Sequence, residues 1–232
     1  RISSTCCPTR GRMPPPSSPS SLIFASFLNY SPRGRSELSQ SSKTFALKLK
    51  ANRVVVPASR TTAAEYLVSR IAPDQPGGSL ANFFRPSDAM VPVPTSAVSR
   101  PGTVWPALEI AKALVGAGFG CEVVQMLGRR QPMRKSAYAP AGGRPTIEEH
   151  LDSLSVHGSV ATGDRLVLVD DLVTKGTTLF ACAMALRKIA PTREVVAFAA
   201  MRTLGLQPEI DRIAEPVVGQ IRFSNGELDL EP

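Results

Sequence analysis

Two histidines, four cysteines, one tryptophan and a 6% share of aromatic side chains leave these 232 residues little of the usual equipment for metal or disulfide chemistry. Cys6 and Cys7 are adjacent, Cys121 and Cys182 stand alone, and no CxxC pair exists to seed a zinc site. Four cysteines in a chain of this length do not make a disulfide scaffold. Cys121 and Cys182 read as small core residues in a reducing compartment. No apolar run approaches the roughly 18–20 residues that a spanning helix needs. The longest near the start is Leu22–Leu28, so no membrane span is expected and the sequence reads as cytoplasmic. There is no GxxxxGK[ST] loop, which disfavours a P-loop NTPase.

Apolar residues make up 43% and charged residues 20%, enough for one ordinary domain or somewhat more. The net charge of +8 invites a nucleic-acid reading, but it is unevenly spread. Residues 1–53 hold nine basic side chains against the single acid Glu37, whereas residues 54–232 hold 18 of each sign. A basic head of this kind can touch nucleic acid or anionic lipid; a solvated segment is the plainer expectation. Residues 1–21 are rich in serine and proline, include Met13-Pro14-Pro15-Pro16, and read as disordered. Arg1 opens the chain, Met13 is a candidate initiator, and a misassigned start fits better than a transit or secretory signal. The expected organisation is a disordered head (1–21), a basic segment with helices (22–85), a core (86–205) and a terminal hairpin (206–232).

Patterning supplies the elements. Helices are expected over Ser36–Lys50, over Thr61–Ile71 with a threonine cap, over Thr103–Gly118, over Thr146–Leu154 and over Gly176–Ile189. Strands are expected over Arg53–Ala58, Ala89–Pro94, Cys121–Leu127, Arg165–Val169 and Glu194–Met201. Alternation of strand and helix at this length signals a parallel α/β sheet built from right-handed crossovers, a Rossmann-like sheet flanked by helices. Ser224-Asn225-Gly226 between two alternating runs marks a hairpin. Gly128–Pro145 reads as a long mobile loop carrying Arg129, Arg130, Arg134, Lys135 and Arg144.

One segment carries the chemistry: Val167-Leu168-Val169-Asp170-Asp171-Leu172-Val173-Thr174-Lys175-Gly176-Thr177-Thr178-Leu179. A buried strand ends in two carboxylates, and strand carboxyl ends face the ligand crevice of an open α/β sheet. A loop with a glycine and three threonines then opens a helix. The unpaired N–H groups at that helix start, at the positive end of its dipole, suit a phosphate. Carboxylates beside it can bond sugar hydroxyls or hold magnesium. An acidic receiver domain would need further acids near its first strand, where Thr95-Ser96 stand instead. In the plainest alternative the carboxylates merely cap the helix. His150 and His157 read as structural or exposed, with Glu148-Glu149 expected to raise the pKa of His150. Trp105 reads as a packing anchor at a helix start, with base stacking as the alternative.

Residues 167–179 resemble the phosphoribosyl-pyrophosphate (PRPP) signature of type I phosphoribosyltransferases: apolar strand, two acids, two small or apolar residues, then Thr-x-Gly-x-Thr. Val91-Pro92-Val93-Pro94 with Arg100, and Tyr30-Ser31-Pro32-Arg33-Gly34, are similar to the ComF-like (competence-associated) subgroup. The subgroup's zinc ribbon is missing, and its Arg-x-Arg-x-Gly-Phe-Asn stretch is here Arg100-Pro101-Gly102-Thr103-Val104-Trp105. The resemblance implies a type I phosphoribosyltransferase fold over roughly 85–205, with a small hood from the chain ends that selects the acceptor. It implies PRPP contacts from Asp170, Asp171, Leu172, Val173, Thr174, Lys175, Gly176, Thr177 and Thr178. Asp170 and Asp171 would take the ribose hydroxyls and reach Mg2+ indirectly, through PRPP and water. Thr95, Ser96 and Arg100 would meet pyrophosphate at a turn that often holds a strained cis peptide. Arg134 and Lys135 of the mobile loop would shield the leaving group. The implied reaction transfers a phosphoribosyl group to a nitrogenous base or amine with release of pyrophosphate, in a homodimer. Two other readings accompany it: a non-catalytic PRPP sensor, and a DNA-uptake protein using residues 1–53.

Overall fold

A computed structural model describes residues 21–73, 75–98, 100, 102–133, 145–158, 161–205, 207–224 and 226–231. Residues 1–20 of the head expected to be disordered, with Met13, Cys6 and Cys7, the cations Arg134, Lys135 and Arg144 expected in a mobile loop, and Asn225 of the expected hairpin turn lie outside the described residues.

Leu22–Leu28 is almost unbroken in apolar character, which suits a strand buried on both faces; it forms β1 (Ser21–Tyr30). Ser36 caps α1 (Glu37–Lys50), its side chain accepting from the Ser39 N–H. β2 (Val54–Val56) and β3 (Thr61–Thr62) make a small hairpin. Thr62 and Glu65 close a capping box at the start of α2 (Ala63–Ser69). After a 3-10 turn over Gly78–Phe83 come β4 (Asp88–Pro92), α3 (Pro106–Gly116), β5 (Glu122–Val123) and β6 (Leu127–Arg129). A second capping box, Thr146 with Glu149, starts α4 (Ile147–Ser153), which runs into β7 (Leu154–Val156). β8 (Arg165–Val173), α5 (Thr177–Ile189), β9 (Glu194–Thr203), β10 (Ala214–Ser224) and β11 (Glu227–Glu231) complete the chain.

The main sheet has seven strands in the order β11-β10-β1-β9-β8-β4-β5. The five from β1 to β5 are mutually parallel, and β10 and β11 add an antiparallel hairpin at one edge. Side chains alternate across it with period two. Val167, Val169 and Phe198 face Leu49, Leu67, Ile110 and Leu114 of α1, α2 and α3. Leu166, Leu168, Ala197 and Ala199 face Leu179, Cys182 and Leu186 of α5. Fully burying a side chain such as Phe198 contributes about 1.5–3 kcal/mol. At the amino ends of the strands, Arg165 grips the wholly buried Asp88 through two bonds of 2.8 and 2.7 Å, fastening β8 to β4.

Several expectations change. Both segments expected to supply a hood also supply strands of the main sheet: β1 lies between β9 and β10, and β10 carries β11. Residues 21–53 are therefore built into the fold, with Lys43 spent on the Gly34 carbonyl at 2.8 Å. The expected strand Cys121–Leu127 breaks in two. Only Glu122 and Val123 pair with β4, after which the chain leaves the sheet and β6 pairs with β7. The third helix starts at Pro106, not Thr103, because proline fits the first helical turn. Cys121 is exposed rather than buried. The segment after β1 meets the segment before β10: Glu209 accepts from the Arg35 and Ser36 N–H groups at 2.6 and 3.0 Å, and these bonds hold its carboxyl down at about 2. Gly34 is required there, since an added Cβ would stand 2.4 Å from the Pro208 carbonyl oxygen. Among the described residues no helix is long and apolar enough to cross a membrane.

Candidate functional site

The order of strands reverses beside β4. From β4 the chain crosses through α3 to β5 on one side, and from β8 through α5 to β9 on the other. The carboxyl ends of β4 and β8 thus flank a topological switch point, where open α/β sheets hold their ligands. Four of the residues singled out by sequence meet here: Asp170 and Asp171 at the end of β8, and Thr95 and Ser96 in the turn after β4. The two strands are held in register up to Pro92 against Val169, and the Val93 N–H continues the ladder to the Val169 carbonyl at 2.8 Å.

β8 continues past its expected end at Val169, because Asp170, Leu172 and Val173 still align with Ala199, Met201 and Arg202 of β9. The acids therefore sit on a rigid strand rather than on a loop. Leu172 packs with the core on the α3 side and Val173 with the core under α5, so both serve as apolar anchors for the acids. Both carboxylates are half-buried, and one Asp170 oxygen accepts the Asp171 N–H at 2.9 Å. Burial first, and then the Asp171 charge, push the Asp170 carboxyl well above the ordinary range. Two hard oxygen donors held close together suit magnesium, and a cation there would relieve the repulsion between them. Among the described residues no cluster of three or more histidine, cysteine, aspartate or glutamate side chains forms.

Thr174 and Lys175 are exposed, and Gly176 turns the chain into α5 with φ of +81°. A Cβ at Gly176 would also meet the Ile221 side chain of β10 at 2.6 Å. The helix has no side-chain cap and no acid in its first turn, so the N–H groups of Thr177, Thr178 and Leu179 are left for a partner. Arg187 and Lys188 complement the opposite end of the dipole. Cys182, buried one turn further along, has its thiol pushed up to about 12 by burial and is inert.

The turn after β4 is pinned from the side. The Ser96 carbonyl accepts from the Met133 N–H at 2.7 Å, and the Thr95 carbonyl from Arg129 Nε at 3.3 Å. Every peptide bond among the described residues is trans, so the cis peptide implied for this turn is not present in them. Arg129, read from sequence as a cation of a mobile loop, belongs to β6 and is 8% exposed. It also bonds the His150 carbonyl, Ser153 Oγ and His150 Nδ1. The expectation for His150 is reversed. Burial and Arg129 lower its pKa to about 4, outweighing the pull of Glu149. Glu149 spends its carboxylate on the α4 capping box instead. His157 is exposed beside Ser155.

Arg100 does not join the acids. It lines a cavity of about 660 Å³ between the β4 turn, the start of α3 and the β5–β6 segment, together with Pro94, Ala97, Trp105, Glu109 and Arg129. None of Asp170, Asp171 or residues 174–178 lines it. Trp105 anchors the start of α3 by donating its indole N–H to the Val93 carbonyl at 2.7 Å. A scan against protein-family models and a search of the curated proteins each found no match to this chain.

Proposed function

We propose that the protein binds PRPP with magnesium and transfers its phosphoribosyl group to a nitrogenous base or amine, releasing pyrophosphate. One observation carries this reading: a carboxylate pair and an uncapped, threonine-lined helix start follow one another at a topological switch point. Thr174–Thr178 and the first N–H groups of α5 would hold the 5-phosphate. Asp170 and Asp171 would accept from the ribose hydroxyls and favour the positive charge that builds on the sugar as pyrophosphate leaves. Thr95 and Ser96, steadied by Arg129, would face the pyrophosphate. Magnesium, when bound with PRPP, supplies neutralisation of the leaving oxygens. Arg134 and Lys135, with their place in the sequence just after Met133, would complete the shield.

Calorimetric titration of Mg-PRPP tests this directly. Asp170→Asn and Asp171→Asn are each expected to weaken binding by about 1–3 kcal/mol, the cost of a charge-assisted hydrogen bond. Asp170→Asn should melt higher than wild type at neutral pH. A carboxyl whose folded pKa is raised costs folding energy when ionised, and asparagine removes that cost. Lost binding in a more stable variant therefore separates the site from the fold. Unchanged affinity in both variants would sink the proposal. The placement of Arg100 in the neighbouring cavity favours a second reading, PRPP binding without turnover. Pyrophosphate release in a screen of bases and amines decides between the two.

A further inference from the structure

The cavity beside the β4 turn has a lining that the acid pair does not use. Its volume of about 660 Å³ falls within the roughly 300–1,000 Å³ of small-molecule pockets. Its one described carboxylate, Glu109, is already engaged by Lys112 Nζ at 2.9 Å and Asn52 Nδ2 at 3.2 Å. Two guanidinium groups have no ion-pair partner among the described residues. Arg100 is exposed at the mouth and forms no ion pair among the described residues. Arg129 is 8% exposed and has no carboxylate of the described residues within ion-pair distance. Its partners are neutral: two carbonyls, a hydroxyl and an imidazole nitrogen. A guanidinium carries five N–H donors, so these four acceptors leave one unspent. The hydrogen-bond partners of Arg129 are neutral, and the Asp170 charge acts on it only from beyond ion-pair distance, so an anion brought to the cavity would offset the cost of its burial. Trp105 and Leu108 add apolar surface to the same wall.

We propose that this cavity binds a small organic anion, its acid group shared by Arg129 and Arg100 and its ring or apolar body against Trp105 and Leu108. Asp170, Asp171 and residues 174–178 do not line the cavity, so the proposal does not rest on the phosphoribosyl reading, although Asp170 acts on Arg129 from the neighbouring site. Both sites border the Pro94–Ser96 turn, which Arg129 steadies, so occupancy of one is felt at the other.

Trp105 is the single tryptophan of the chain and lines the cavity, so its emission reports occupancy without a label. The full chain is titrated with adenosine 5′-monophosphate, with adenosine as the probe lacking an anion and inorganic phosphate as the probe lacking a ring. A saturable change is expected with adenosine 5′-monophosphate, and affinity about tenfold weaker for each of the other two. Arg100→Glu, at an exposed position that leaves the fold intact, should weaken binding by at least about tenfold. Thr177→Ala, at the other site, should leave the dissociation constant within about twofold. No saturable change, an equal response to adenosine, or loss in Thr177→Ala with retention in Arg100→Glu would each overturn the proposal. So would displacement by Mg-pyrophosphate at its own binding concentration, which would merge the cavity with the acid-pair site.

Discussion

His150 shows how one side chain's behaviour is decided by what it faces rather than by its neighbours in sequence. Arg129 is always protonated and can only donate, so at 3.3 Å the Nδ1 of His150 must accept. Protonating that nitrogen would set two cations against each other in a buried place. The folded pKa of about 4 lies below the ordinary histidine value of 6.5, so the unfolded chain takes up the proton first as the pH falls. The associated stability is fully present above pH 6.5 and is lost on descent towards about pH 4, a change on the order of 3 kcal/mol. Urea unfolding across this range should show a steep acid-side decline that His150→Gln flattens. Equal slopes in the two proteins would refute the assignment. The other charge at this helix end, Glu149, is occupied by its cap. The pair Glu148-Glu149 was visible in the sequence and suggested the opposite shift. The facing Arg129 was not, because it lies 21 residues away and meets His150 only through the β6–β7 hairpin.

At the scale of elements, the strand–loop–helix unit from Arg165 to Ile189 was largely legible. Its apolar run, its acids and its glycine are all local signals. The four-residue extension of β8 was not, since it depends on pairing with β9. The threonine cap of α2 was readable for the same local reason, whereas the split of the second core strand reflects β5 losing its partner after Val123. Gly176 joins local and distant demands, combining a left-handed φ with the Ile221 side chain pressed against it. Gly176→Ala should therefore strain the turn by about 1–3 kcal/mol and misplace the first N–H groups of α5. Thermal melts should register the strain, and anion affinity at the helix start should fall with it. A variant of full stability and full affinity would show that the turn tolerates a side chain.

Across the whole molecule, the parallel sheet reads correctly from alternation, but its completion does not. Leu22–Leu28 drew notice only for being too short to span a membrane, yet the same unbroken apolarity places β1 inside the seven-stranded sheet, between β10 and β9. The partners of β1 are β9 and β10, near the other end of the chain. Removal of residues 1–30 should abolish cooperative unfolding in urea and expose apolar surface to a dye such as ANS. A compact, cooperatively melting product would mean that β9 and β10 can close on each other without it. The basic charge of residues 33–53 follows directly on this strand, so removing the head cannot serve as a clean test of nucleic-acid binding.

The position of β1 also sets an order of events during synthesis. Ala197, the partner of Phe24, leaves the ribosome 173 residues after it. At about 5–20 residues per second that interval is roughly 10–35 s. Throughout it, the most apolar stretch of the head has nowhere to pair, while β4, β5 and β8 can already assemble around α3. β1 is made before the other six strands of the main sheet, yet it cannot be seated before β9 emerges, and the nascent chain must keep a sticky segment in hand until then.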